Sequence, residues 1–121
     1  MGFSLYPHHL KNNTNCTLDS FCEMIARTSD IMNIKNIGIG SDLCLNQPDE
    51  IVEWMRNGTW SKNKNYGEGS KNKPGFPKQP GWFEDARGFF NIEKGLRKVG
   101  FSEEETNGIL GNNWYNFYRN M

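Results

Sequence analysis

Asn36-Ile37-Gly38-Ile39-Gly40-Ser41-Asp42 is the stretch whose reading decides the fold. Two β-branched residues alternate with glycines, the pattern of a short buried strand. Gly40 and Ser41 break the strand, and Asp42 stands alone at its exit. In open α/β sheets and in (β/α)8 barrels, ligands and chemistry gather beyond the carboxyl ends of the strands. A carboxylate at that place is a candidate for function. The structural alternative is an Asp that only caps a turn or the next helix.

Toward the N-terminus, Gly2-Phe3-Ser4-Leu5-Tyr6 alternates like a second strand, which Pro7 stops. His8 and His9 follow at once. They read either as metal or substrate contacts at a strand exit, or as a solvated loop pair. Adjacent side chains of an extended chain point apart and share one metal with difficulty, which favours the second reading. Thr17 is placed as an N-cap. Leu18, Phe21, Cys22, Ile25, Ala26 and Met32 then recur at steps of three and four, predicting a helix over about 18–32. Its apolar stripe reads as core packing. Strand, helix, strand, with a helix long enough for a right-handed crossover, makes a βαβ unit with a parallel pair. Parallel sheets are covered on both faces and hold more than two strands, so the sequence reads as a piece of a larger α/β structure.

Toward the C-terminus, Pro48-Asp49-Glu50 suits a helix start, with Ile51, Val52, Trp54 and Met55 as its apolar surface and Gly58 as its end. Residues 59–81 are poor in aliphatics and rich in Gly, Asn, Lys and Pro. A long loop of this kind is either functional or disordered, and its lysines form an anion site or, on the plainer view, a solvated surface. Asn91 is expected to cap a helix that carries Ile92, Leu96 and Val99 and closes at Gly100. Ser102-Glu103-Glu104-Glu105 has the form of a capping box and opens another helix. Trp114, Phe117 and Tyr118 make a last apolar helical face. Between them, the polar Gly111-Asn112-Asn113 sits in a hydrophobic region and is expected to make specific hydrogen bonds.

Composition narrows the function classes. The chain has 121 residues, one ordinary domain, with 14 basic and 14 acidic side chains. That balance argues against a nucleic-acid surface. No apolar run approaches the roughly 20 residues of a transmembrane helix. Three cysteines, Cys16, Cys22 and Cys44, lack metal-type spacing and read as free or buried thiols. No signal-peptide pattern stands at Met1; the location is left unknown, with the cytoplasm favoured. There is no GxSxG, P-loop or HExxH motif. The Gly38-x-Gly40 pair lacks the third glycine of a phosphate-binding turn.

Several segments together resemble one family, the membrane (renal) dipeptidases, zinc metallopeptidases of the amidohydrolase-like (β/α)8 class. Residues 36–42 look like that family's eighth barrel strand, usually written HxGIGSDFDG, and Phe3-Ser4-Leu5-Tyr6 is similar to the seventh. Four further segments match the family's C-terminal region in order: Phe90-Asn91-Ile92, Gly95-Leu96, Gly100-Phe101-Ser102-Glu103-Glu104-Glu105 and Ile109-Leu110-Gly111-Asn112-Asn113-Trp114. The match departs at Cys44 and Leu45, which stand where the family has Asp and Gly.

The resemblance implies an α/β fold that is the C-terminal portion of a TIM barrel: the last two parallel strands with their helices, then C-terminal helices. On this reading 1–42 is the βαβ unit, 43–58 a loop and helix, 59–88 a long loop and 89–121 the C-terminal helices. It implies a parent enzyme that hydrolyses dipeptides with two zinc ions. The strand residues that bind zinc, and an Arg that grips the substrate carboxylate, would precede residue 1. This chain alone is then expected to be inactive and to hold no zinc. Asp42 matches the eighth-strand Asp that binds the substrate's amino group and helps move a proton. Tyr6, at the end of the first strand, is the other implied substrate contact. The alternative is a stand-alone, non-enzymatic α/β binding or interaction module. Two open strand edges and unpartnered helix faces leave homo-oligomer formation open on either reading.

Overall fold

The structure, a computed structural model, describes residues 1–57 and 75–121, except for the side chains of residues 53, 56 and 57. Most of the long loop expected over 59–81, and the helix stop expected at Gly58, lie outside the described residues. The chain forms two units, one built from residues 1–43 and 79–121, the other from residues 44–78.

In the first unit, strand β1 (Gly2–Ser4) pairs in parallel with β2 (Gly38–Gly40), Gly2 opposite Gly38, Phe3 opposite Ile39 and Ser4 opposite Gly40. Helix α1 (Leu18–Ser29) makes the crossover. Alternation sorts the strand residues onto two faces. Phe3, Leu5, Ile37 and Ile39 are buried on one face, which packs into the core. Gly2, Ser4, Gly38 and Gly40 share the other face by the same alternation.

Thr17 caps α1 by accepting the Ser20 amide at 3.1 Å. Phe21, Cys22 and Ile25 carry its apolar stripe inward. The helix stops at Ser29, short of the predicted end near Met32. At this end Thr28 Oγ1 donates to the Met24 carbonyl and Ser29 Oγ to the Ala26 carbonyl. Such hydroxyl bonds compete with the helix ladder.

Helix α2 (Asp49–Asn57) belongs to the second unit and starts with two acidic residues in its first turn, which its dipole favours. In the first unit, α3 (Phe89–Lys98) lies against α1. Gly95 permits this contact, because a Cβ there would stand 2.6 Å from Cys22 Sγ. Asn91 does not cap α3. It sits inside the helix and donates to the Trp82 carbonyl at 2.8 Å, while Trp82 Nε1 donates to the Cys16 carbonyl at 2.6 Å. The helix entry is made instead by a turn over Ala86–Gly88, where Asp85 accepts the Arg87 amide. At the other end Gly100 takes φ +109, with Gly100 N–H bonded to the Arg97 carbonyl and Phe101 N–H to that of Leu96. This pair is a Schellman closure.

Ser102 and Glu105 form the capping box of α4 (Glu103–Asn107), with reciprocal bonds of 3.2 and 2.8 Å. The chain then makes a wide turn over Gly108–Asn112, kinked at Gly111, into α5 (Asn113–Arg119). The side chains of Asn113 and Trp114 leave the helix and reach the sheet. The core joins the buried faces of β1, β2, α1 and α3 through Phe21, Phe83, Ile92, Leu96 and Ile109.

Candidate functional site

Because β1 and β2 are parallel, both carboxyl ends lie at one edge of the sheet. Two residues past the last register pair stand Tyr6 on one strand and Asp42 on the other. Asp42 is exposed and takes φ +52, in the left-handed region. Asp and Asn are the side-chain-bearing residues that enter this region most readily, and Asn12, Asn13 and Asn46 do the same elsewhere in the chain. The reversal therefore marks the end of the strand and is not by itself a sign of function. No hydrogen bond or ion pair engages the Asp42 carboxylate among the described residues.

The β1 side of the edge is more structured. Half-buried Ser4 accepts the Tyr6 amide at 3.1 Å and bonds His9 Nδ1 at 2.9 Å. His8 Nδ1 faces Asn13 Oδ1 at 3.1 Å and, since that oxygen only accepts, donates to it. Both imidazoles meet the Tyr6 ring edge-on, with centroids 5.6 Å (His8) and 5.2 Å (His9) away. The turn over Pro7–His9 makes this possible: it bends the chain so that both neighbouring histidines return to one phenol ring. Both histidines are exposed, in keeping with a solvated pair, but the chain that carries them is a turn and not extended.

The structure thus brings Tyr6, His8 and His9 together at β1 and sets Asp42 at the end of the adjacent strand. Ser4, which ties the cluster to the strand, was not singled out from the sequence. Its signal was the alternation that puts it on the glycine face and away from the core.

Metal chemistry has little to work with here. Among the described residues no three His, Cys, Asp or Glu side chains form a group able to hold a metal ion. Cys16 and Cys22 are buried in the core. Burial pushes the Cys22 thiol up to about 12, with Asp19 adding to the shift, so it stays protonated. A thiol ligand must be deprotonated. The residues described do not fit a two-zinc centre.

No family model, curated protein or solved structure matches the chain.

A groove of about 760 Å3 opens at the opposite edge, beside the N-terminal end of β2, between Met1, Asn36, Glu104, Asn113 and Phe117. It contains neither Asp42 nor Tyr6. No helix among the described residues is long and apolar enough to cross a membrane.

Proposed function

We propose that the chain is the closing part of a zinc-dependent dipeptidase, in which Asp42 takes the ammonium group of the substrate. One observation carries the reading: a carboxylate without an ion-pair partner among the described residues stands just beyond the carboxyl end of a parallel strand. The family itself comes from the resemblance of residues 36–42 and 90–114 to the dipeptidases. Carboxylate and ammonium form a charge-assisted hydrogen bond, about twice as strong as a neutral one. The same carboxylate can pass a proton to the amine released when the peptide bond breaks. Tyr6, at the matching position on β1, offers a phenol for the substrate backbone.

The test starts with the coding sequence upstream of Met1. An in-frame continuation that encodes His-x-Asp on a strand-like stretch supports the reading. A stop codon followed by a translation start refutes it and leaves a stand-alone module. In the extended protein, Asp42→Asn must then abolish most dipeptide hydrolysis while leaving the zinc content intact.

A further inference from the structure

Ser4 sets the state of an imidazole at the carboxyl end of β1. Its oxygen accepts the Tyr6 amide at 3.1 Å and lies 2.9 Å from His9 Nδ1. A hydroxyl has one proton to give and two lone pairs. Tyr6 N–H takes a lone pair, and the Ser4 proton goes to His9 Nδ1. The hydrogen bond at one ring nitrogen decides where the ring's own proton sits. The neutral His9 ring therefore carries its proton on Nε2. The edge-on contact with the Tyr6 ring, at 5.2 Å between centroids, holds the imidazole in place. His9 is exposed, and no hydrogen bond among the described residues uses its Nε2. A donor in a set position is left without an acceptor.

The donor hangs from the functional face of the sheet. Phe3, Leu5 and Ile39 turn to the helices and belong to the core. In a (β/α)8 barrel the helices cover the outside, so the opposite face, which carries Ser4, looks into the barrel. We propose that His9 sets the specificity of the dipeptide site by binding a carboxylate on the side chain of the substrate's first residue. This rests on the dipeptidase reading and names the substrate class of the same site. Tyr6 and Asp42 end adjacent strands at equivalent positions, and such strands lie about 4.8 Å apart. With the ammonium on Asp42, two substrate groups lie within one strand spacing of it: the first carbonyl and the first side chain. The carbonyl is the group under attack and turns to the hydrolytic machinery. The side chain is left for the β1 end. A glutamyl side chain reaches across one strand spacing, and an alanyl methyl does not. The ammonium offsets the Asp42 charge, so a second carboxylate beside it meets no unpaired negative group. A site built around a hydrogen-bond donor rejects the analogue that lacks the acceptor.

The test uses the longer protein that the upstream coding sequence supplies. It compares kcat/KM for glutamyl-glycine and alanyl-glycine in the wild type, His9→Leu, His9→Gln and Ser4→Ala. The wild type is expected to favour glutamyl-glycine. His9→Leu removes the donor and should lower the glutamyl-to-alanyl ratio about 10- to 100-fold, the size of a hydrogen bond to a charged group, with most of the loss in KM. His9→Gln keeps an N–H at similar reach and should hold the ratio within about threefold of the wild type. Ser4→Ala keeps the imidazole but releases its proton to either nitrogen, and should lower the ratio about threefold. If both dipeptides are cleaved and His9→Leu leaves the ratio unaltered, the inference is overturned and the dipeptidase reading stands. A loss in His9→Gln as large as in His9→Leu also overturns it, because the donor is then not what discriminates. A wild type that cleaves neither dipeptide refutes the dipeptidase reading and this inference together. Should His9→Leu not fold, an unaltered ratio in Ser4→Ala overturns the assignment.

Discussion

Replacing Gly38 by Ala should cost the fold about 1–3 kcal/mol, and the whole penalty should depend on Trp114. The new methyl would stand 2.5 Å from Trp114 Nε1 and 2.9–3.0 Å from Cδ1 and Cε2. These are atoms in the middle of a rigid ring, and the ring is held by its bond to the Ile39 carbonyl. Relief means moving the indole and losing that bond. Forcing a methyl into a packed site costs roughly 1–3 kcal/mol, and a lost hydrogen bond adds about 1 kcal/mol. Against this, Ala in a strand gains about 0.5–1 kcal/mol over Gly through the unfolded chain. The assay is urea unfolding of wild type, Gly38→Ala, Trp114→Ala and the double variant, at concentrations where each sediments as a monomer. With the indole gone, Gly38→Ala should become neutral or slightly stabilising. The expected coupling is about 2 kcal/mol, within the range for residues in contact. An equal penalty in both backgrounds would refute the packing of Trp114 on the glycine face.

Three further expectations concern single groups. In a dipeptidase that contains this chain, Asp42→Asn should lower kcat/KM by about 3–5 kcal/mol in transition-state terms, with zinc content and stability nearly unchanged; near-normal activity removes Asp42 from the mechanism, and a lost zinc ion makes it a ligand. The Ser102 N–H and hydroxyl hold the Glu105 carboxyl below its ordinary value. A lowered value in the fold means that the capping box contributes fully above the ordinary Glu range and is lost as pH falls through the lowered value. Amide exchange at the start of α4 should therefore accelerate with acid in the wild type and show no such step in Glu105→Gln. Cys22, pushed to about 12 chiefly by burial, stabilises the fold below pH 9 and should lose that contribution as pH rises toward 12. At neutral pH exposed Cys44 should alkylate rapidly and Cys22 only on unfolding, a contrast read by mass spectrometry; equal rates would contradict the core placement.

Local patterns explain which parts of this fold were legible. The stripe of α1, the cap at Thr17, the Schellman glycine at Gly100 and the Ser102–Glu105 box each depend on residues within a few positions of one another. Spacing alone exposes such features. The end of α1 was harder to read, because Met32 continues the apolar rhythm while the hydroxyls of Thr28 and Ser29 turn to the helix carbonyls. Asn91 looked like a cap because Asn favours that place, but its partner is the distant Trp82 carbonyl. The polar pair before Trp114 was marked for hydrogen bonding, yet nothing in the sequence named the Ile34 and Ile37 carbonyls, more than seventy residues away, as the targets of Asn113. Trp114 itself looked like one more member of a helical apolar face. At the candidate site, strand alternation and the break after Gly40 pointed to Asp42. The joining of Tyr6 with both histidines needed the turn at Pro7, which an extended reading of that segment conceals.

The cap that Asn113 and Trp114 place on the Ile37 and Ile39 carbonyls of β2 also has a kinetic side. Its bonds join residues 76 and 75 positions apart, so forming them closes loops that span nearly two thirds of the chain. Contacts of such separation are entropically expensive to form early. The cap therefore belongs to the downhill side of the folding barrier. Weakening it should leave the refolding rate almost untouched and raise the unfolding rate, with most of the lost stability appearing on the unfolding limb of the chevron. The indole that seals the sheet edge is in that sense a latch on lifetime: it determines how long a folded molecule stays folded more than how quickly one forms.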